Sequence, residues 1–205
     1  MKMKLYGSKT SPFSRKVLVA IEELALGSLV ERVGVDPFNP PEEFLAANPL
    51  AQIPALVTEK GECLPGSDLI IEYLMGRSRG LASLPRGSQR WAALRRATLA
   101  DGVTEAAVAM LLESRRPPER QHQPWTERKR AAVLRGLDGL ERDAAGLLSE
   151  QPSTTEISVG CALGYLDFRF PELQWREGRP ALAAWYAGFS QRPSMQRTAP
   201  PGSTI

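Results

Sequence analysis

The spacing of apolar and polar positions changes character part-way along the chain. Up to about residue 77, short apolar runs alternate with helical stretches; from about residue 89 onward the spacing is helical throughout. Lys2 to Tyr6 reads as a short strand ending at Gly7. Ser11 and Pro12 open a helix through about Leu26, because Ser is a favoured N-cap and Pro suits the first helical position. Val17, Leu18, Ile21 and Ala25 line its apolar face, and Gly27 stops it. Leu29 to Val35 predicts a second strand and Glu42 to Ala47 a short helix. Pro54 to Thr58 and Glu62 to Leu64 pair through a turn at Lys60-Gly61, and Ser67 caps a helix through Met75.

In the second half, Ser88 to Ser114 forms one long helix, and another runs from about Thr126 to Leu148 with Leu137, Leu140, Ala144 and Leu147 on one face. Ser153 and Glu156 make a capping box ahead of Ile157. The helix from Ile157 to Phe168 is apolar nearly all round, which places it at the centre of a bundle. A last helix spans Arg179 to Phe189. Gly76-Arg77-Ser78-Arg79-Gly80 and Pro85-Arg86-Gly87-Ser88 punctuate the change of regime. The pattern therefore predicts an α/β domain over 1–77, a linker over 78–88 and an all-helical domain over 89–205.

Composition narrows the chemistry. With 42% hydrophobic and 24% charged residues the chain is an ordinary globular one. Its only cysteines, Cys63 and Cys161, form no C-x-x-C, and its only histidine, His122, lies in a polar loop-like stretch. A structural zinc site, a dithiol redox motif and a Ser-His-Asp triad are thereby set aside, and no metal is expected. The net charge of +3 is spread out. Its densest stretch, Arg115 to Arg130, is diluted by Glu119 and Glu127 and broken by prolines, which fits a solvated helix end better than a nucleic-acid surface. Met1 to Gly7 has no apolar signal region, and the longest apolar run, Ala106 to Leu112, is too short to span a bilayer. The expectation is a cytoplasmic protein with neither nucleic-acid nor membrane partners.

The order strand-helix-strand-helix-strand-strand-helix, with no G-x-G-x-x-G after the first strand, is not a Rossmann unit and resembles the thioredoxin-like fold. Where a redox member carries C-x-x-C, this chain has Ser11-Pro12-Phe13-Ser14, so the thiolate that disulfide exchange requires is missing.

Nearly the whole chain resembles the cytosolic glutathione transferases. The stretches that carry the likeness are Ser11 to Lys16, Asn48 to Leu56, Ser67 to Leu74, Ser153 to Ile157 and Pro180 to Tyr186. The Ser-Pro-Phe motif is similar to that of serine-type bacterial members and of the plant tau type. The resemblance implies a thioredoxin-like glutathione-binding domain followed by an all-α bundle. It implies glutathione as a co-substrate, with no further cofactor, a hydrophobic electrophile or a peroxide as second substrate, and a homodimer.

The same resemblance assigns roles residue by residue. Ser11 is the catalytic residue, its hydroxyl favouring the glutathione thiolate; Tyr6, Thr10 and Ser14 are the rival donors. Ile53-Pro54 is a cis bond that lets residue 53 present its N–H and C=O to glutathione. Ser67 takes the γ-glutamyl carboxylate at a helix N-terminus. Gly66 stands where an acidic residue is usual, and Asp68 is the nearest acid that could replace it. Gln52 is either a contact to the glycyl end or a solvated loop amide. Asp101 is either an ordinary helix-surface aspartate or a group reaching the partner subunit's glutathione. Phe13, Met110, Leu111 and Ser114 are candidates for the second-substrate pocket, expected between the domains. A regulatory protein lacking the chemistry, and a specialised dehalogenase or isomerase, stand as alternatives.

Overall fold

The computed structural model describes residues 2–78, 80–147 and 150–202. The chain divides into two compact units. One takes in the described residues up to Ala82 and those from Arg192 onward; the other spans Ser83–Gln191. The stretch after Gln191, which the sequence pattern leaves with the helical domain, thus belongs to the first unit.

In the first unit, strands β1 (Met3–Gly7), β2 (Val30–Gly34), β3 (Ala55–Val57) and β4 (Cys63–Pro65) form one four-stranded sheet in the order β2-β1-β3-β4. β1 pairs with β2 in parallel, and with β3 antiparallel; β4 closes the edge antiparallel to β3. Helices α1 (Pro12–Glu23), α2 (Glu42–Ala47) and α3 (Ser67–Met75) follow the predicted order. Successive strand residues point to opposite faces. Tyr6 accordingly joins Val35, Phe44 and Ala55 in one buried cluster, while Met3 and Leu5, also buried, face the other way.

α1 stops short of the expected Leu26. Ala25 adopts φ 55, Leu26 N–H bonds back to the Ile21 carbonyl and Ala25 N–H to that of Glu22, the pattern of a Schellman stop placed before Gly27. The start of α3 is also corrected. Ser67 is its first helical residue, and Gly66, at φ 85 and ψ 143, occupies the cap position. Only glycine takes that backbone without strain, and it turns the chain from β4 straight into the helix.

The second unit contains α4 (Ser88–Ser114), α5 (Gln123–Arg142), α6 (Thr154–Arg169) and α7 (Pro180–Phe189), with α4 packed on both α5 and α6. α6 is buried from Thr155 to Leu166 and opens with the expected capping box: Glu156 accepts from Ser153 N–H at 2.8 Å, and Ser153 Oγ accepts from Thr155 N–H at 3.1 Å. α5 and α4 approach closely where a Cβ on Gly136 would come within 2.5 Å of Val103. The expected Thr126–Leu148 helix begins three residues earlier, at Gln123, with Pro124 in its first turn, and ends at Arg142. A 3₁₀ turn over Ala144–Gly146 follows, which sets Gly146 against the Arg96 guanidinium; Leu148 lies outside the described residues. The helix after Gln191, α8 (Pro193–Arg197), belongs to the first unit and packs there on α1. No helix among the described residues is long and apolar enough to cross a membrane.

Candidate functional site

Strand register brings the predicted glutathione-site residues of the first unit to one end of its sheet. Tyr6 on β1 lies beside Ala55 on β3, and Ala55 beside Pro65 on β4. The chain just beyond those positions is the β1–α1 turn leading to Ser11, the Ile53-Pro54 bond, and Gly66-Ser67. Gly66 N–H donates to the Pro54 carbonyl at 3.0 Å, which ties the last two together.

Ser11 is the N-cap of α1, at φ −80 and ψ 124, and its Oγ accepts from Ser14 N–H at 3.2 Å. That contact uses a lone pair and leaves the hydroxyl proton to donate. The first turn of α1 contains no acidic residue, so the positive end of the helix dipole is not offset there. Arg15 and Lys16 follow, both buried. The turn itself is tight: a Cβ on Gly7 would sit 2.8 Å from Ser14 Oγ. Phe13 is half-buried beside Ser11.

Of the rival donors, Tyr6 spends its hydroxyl elsewhere, Ser14 is buried inside the helix, and Thr10 is half-buried in the turn before Ser11. Tyr6 is buried on the α2 side of the sheet, where its hydroxyl donates to Glu43 at 2.9 Å. Burial, and then the Glu43 carboxylate, push its pKa up, so it is a weaker acid than a free phenol. Ser14 is buried, and its Oγ accepts from Ser8 N–H at 3.4 Å.

The Ile53-Pro54 bond is cis. Ile53 N–H and C=O make no hydrogen bond to other described residues. The loop before them is held by Asn48, a buried side chain whose Nδ2 donates to the Gln52 carbonyl at 2.8 Å and whose Oδ1 accepts from Leu50 N–H at 3.2 Å. The motif contained Asn48, but the signal for its holding role, a buried amide bonded across its own loop, exists only in three dimensions. Gln52 projects into solvent.

Ser67 is buried at the first turn of α3, where free N–H groups suit a carboxylate. Asp68 is not a free stand-in for the acid missing at 66. Its Oδ1 accepts from Lys16 Nζ at 2.8 Å, joining a lysine side chain 1% exposed to an aspartate 71% exposed. The pair links the helices that start at Ser11 and Ser67.

Asp101 lies on α4 in the second unit, half-buried. On the same helix Met110 is buried, Leu111 half-buried, and Ser114 exposed with its hydroxyl donating to the Leu111 carbonyl. His122 is exposed just ahead of α5. No group of His, Cys, Asp and Glu among the described residues is arranged to hold a metal ion.

Comparison with known proteins bears on the family and the fold. Residues 5–80 match the N-terminal domain of glutathione S-transferase, and residues 123–188 its C-terminal domain. The chain is 35% identical over 202 residues to YibF, an uncharacterized GST-like protein of Escherichia coli (strain K12), covering 97% of this chain and 99% of YibF. A glutathione transferase family member from Pseudomonas fluorescens Pf-5, solved with bound glutathione, is 40% identical with a TM-score of 0.91 over 98% of this chain and 100% of that one. A glutathione S-transferase from Methylobacillus flagellatus KT, with glutathione bound, is 39% identical with a TM-score of 0.87 over 97% of this chain and 100% of that one. The chain belongs to the glutathione S-transferase family, with that family's thioredoxin-like first domain and helical second domain.

Proposed function

We propose that the protein is a cytoplasmic glutathione transferase in which Ser11 activates the thiol of bound glutathione for attack on a hydrophobic electrophile or a peroxide. Glutathione is the co-substrate and no other cofactor takes part. Ile53 and Pro54 meet its cysteinyl backbone, Gln52 its glycyl end, and Gly66 and Ser67 its γ-glutamyl carboxylate; Phe13 lies beside the sulfur. Asp101 reaches the ammonium group of glutathione in the partner of a homodimer.

The observation that carries the reading is Ser11: a helix N-cap hydroxyl with its proton free, at the sheet end where Ile53 leaves its backbone groups unpaired. A free thiol titrates near ~8.5, so only a few per cent is thiolate at neutral pH. Lowering that value by about two units corresponds to roughly 2.7 kcal/mol. One charge-assisted hydrogen bond and a helix dipole supply energy of that order. A regulatory protein on the same fold is favoured by one observation, the Gly66 that replaces an acid while Asp68 is bound to Lys16.

Two measurements test the reading. Reduced glutathione at one hundred times its Kd adds roughly 2.7 kcal/mol to stability, and a thermal melt detects it. No rise in midpoint, with no retention on immobilised glutathione, supports the regulatory reading instead. Ser11→Ala then loses most conjugating activity at neutral pH and regains part of it at high pH, where glutathione ionises unaided. Tyr6→Phe leaves activity nearly unchanged. Full activity of Ser11→Ala at neutral pH, or loss of it in Tyr6→Phe, overturns the assignment.

A further inference from the structure

The charges packed around α1 are matched by opposite charges, with one exception. Lys16 Nζ donates to Asp68 on α3 at 2.8 Å. Arg192, just ahead of α8, holds both oxygens of Glu23 at 2.8 and 2.9 Å. Glu22 accepts from Arg197 on α8 at 3.4 Å and from Arg32 on β2 at 2.8 Å. Glu72 on α3, and Lys9 in the turn before Ser11, are exposed to solvent. The exception is Arg15.

Arg15 is 4% exposed, yet no acid among the described residues pairs with it. Its Nη2 donates to the Met195 carbonyl of α8 at 3.0 Å, and its Nε is buried without a hydrogen-bond partner. A carbonyl satisfies an N–H and leaves the charge standing. A guanidinium keeps its charge when buried, and burying one without a counter-ion is costly. The position of this charge is informative. Arg15 N–H donates to the Ser11 carbonyl at 3.0 Å, so the two residues lie one turn apart at the start of α1. Helical side chains lean toward the N-terminus, which for Arg15 is the Ser11 end. No acid in the first turn of α1 offsets the charge there.

We propose that Arg15 is a positioning residue for the glutathione thiolate: its unmatched charge, fixed by the Met195 carbonyl, favours the anion at Ser11. The inference rests on the reading of Ser11 given above. A thiolate formed there is the counter-ion that Arg15 lacks, and it acts across space without touching the guanidinium. Lys16 cannot take this part, because Asp68 already offsets it. Two unit charges ~10 Å apart at an effective dielectric of about 20 move a titration by about one pH unit. Helix α8 thereby takes part in the chemistry, since it supplies the carbonyl that holds the charge in place.

Ultraviolet titration of the thiolate of glutathione bound to the full chain tests this. The wild-type thiol titrates well below its free value. Arg15→Gln, which keeps a donor for Met195 without the charge, raises the midpoint by about one pH unit. Arg15→Lys, which keeps the charge, leaves it in place. Conjugating activity of Arg15→Gln falls about tenfold below the wild-type midpoint and matches wild type at high pH. S-methylglutathione, which has no thiol to ionise, binds all variants as it binds wild type. If Arg15→Gln fails to fold, Arg15→Met replaces it, since trading an unmatched buried charge for an apolar chain of similar length is neutral or stabilising. A neutral variant that titrates with wild type, a midpoint raised as far in Arg15→Lys as in Arg15→Gln, or weakened binding of S-methylglutathione overturns the proposal. A wild-type thiol that titrates at its free value overturns the reading of Ser11, and this inference with it.

Discussion

A hydroxyl, an amide and an ammonium group define what single residues contribute to the first unit. Asn48 is buried and spends both ends of its amide on its own loop, one on Gln52 and one on Leu50. Asn48→Ala removes those part-buried bonds, at a cost of about 1 kcal/mol. A lower melting midpoint together with weaker glutathione binding is expected, since the loop leads into Ile53. Lys16 and Asp68 make a sharper comparison. Removing Asp68 strips a partner from an almost wholly buried ammonium, whereas Lys16→Met removes the buried charge and keeps the volume. Asp68→Ala should therefore destabilise more than Lys16→Met, by about 1–2 kcal/mol after allowing for solvent around the exposed aspartate. Denaturant titration of both variants measures the order, and a larger loss in Lys16→Met contradicts it.

At the scale of elements, the junction of α1 and α8 has a pH signature. Arg192 donates to both oxygens of Glu23 at 2.8 and 2.9 Å, and Ser194 Oγ donates to Glu23 Oε1 at 2.5 Å. Burial pushes the Glu23 carboxyl up, but the hydrogen bonds from Arg192 and Ser194 outweigh it, and its pKa falls below the usual carboxylate value. A depressed folded pKa contributes stability that is fully present above the unfolded value, near ~4.3, and is lost as pH falls through the folded one. Glu23→Gln should thus melt earlier than wild type by a constant margin from neutral pH to about pH 5. Below that the gap should close. Melts between pH 7 and 3 check this, and a gap that widens in acid contradicts it. Elements were also where sequence reading worked best: α2 and α4 begin and end at the residues expected, Glu42–Ala47 and Ser88–Ser114. Their boundaries are marked by local chemistry and apolar spacing. α1 and α5 ended early because an Ala25 in left-handed conformation and a turn toward Arg96 carry no comparable local mark.

For the whole molecule, the proposed homodimer is the prediction with the plainest readout. Closed two-fold pairing is the commonest oligomer, and it is the arrangement in which Asp101 serves a neighbouring subunit. Light scattering should then give about 45 kDa, twice the chain mass of 22.5 kDa. A species at the single-chain mass removes both the dimer and the cross-subunit role of Asp101.

Sequence alone determined the order of strands and helices, the change from α/β to helical spacing, and the motif positions on which the candidate site is built. Those features are written in neighbouring residues: apolar period, capping residues and turn residues act within a few positions. Tertiary structure decided which polar groups meet. Tyr6 reaches Glu43 across 37 positions, Lys16 reaches Asp68 across 52, and Arg192 reaches Glu23 across 169. Each of these pairings changes a functional reading: the first takes Tyr6 away from the site, the second engages Asp68, and the third carries the end of the chain back to the first unit. None has a local signature, because a charged or hydroxyl side chain suits solvent as well as a partner, and only the folded chain brings the partner within hydrogen-bond distance.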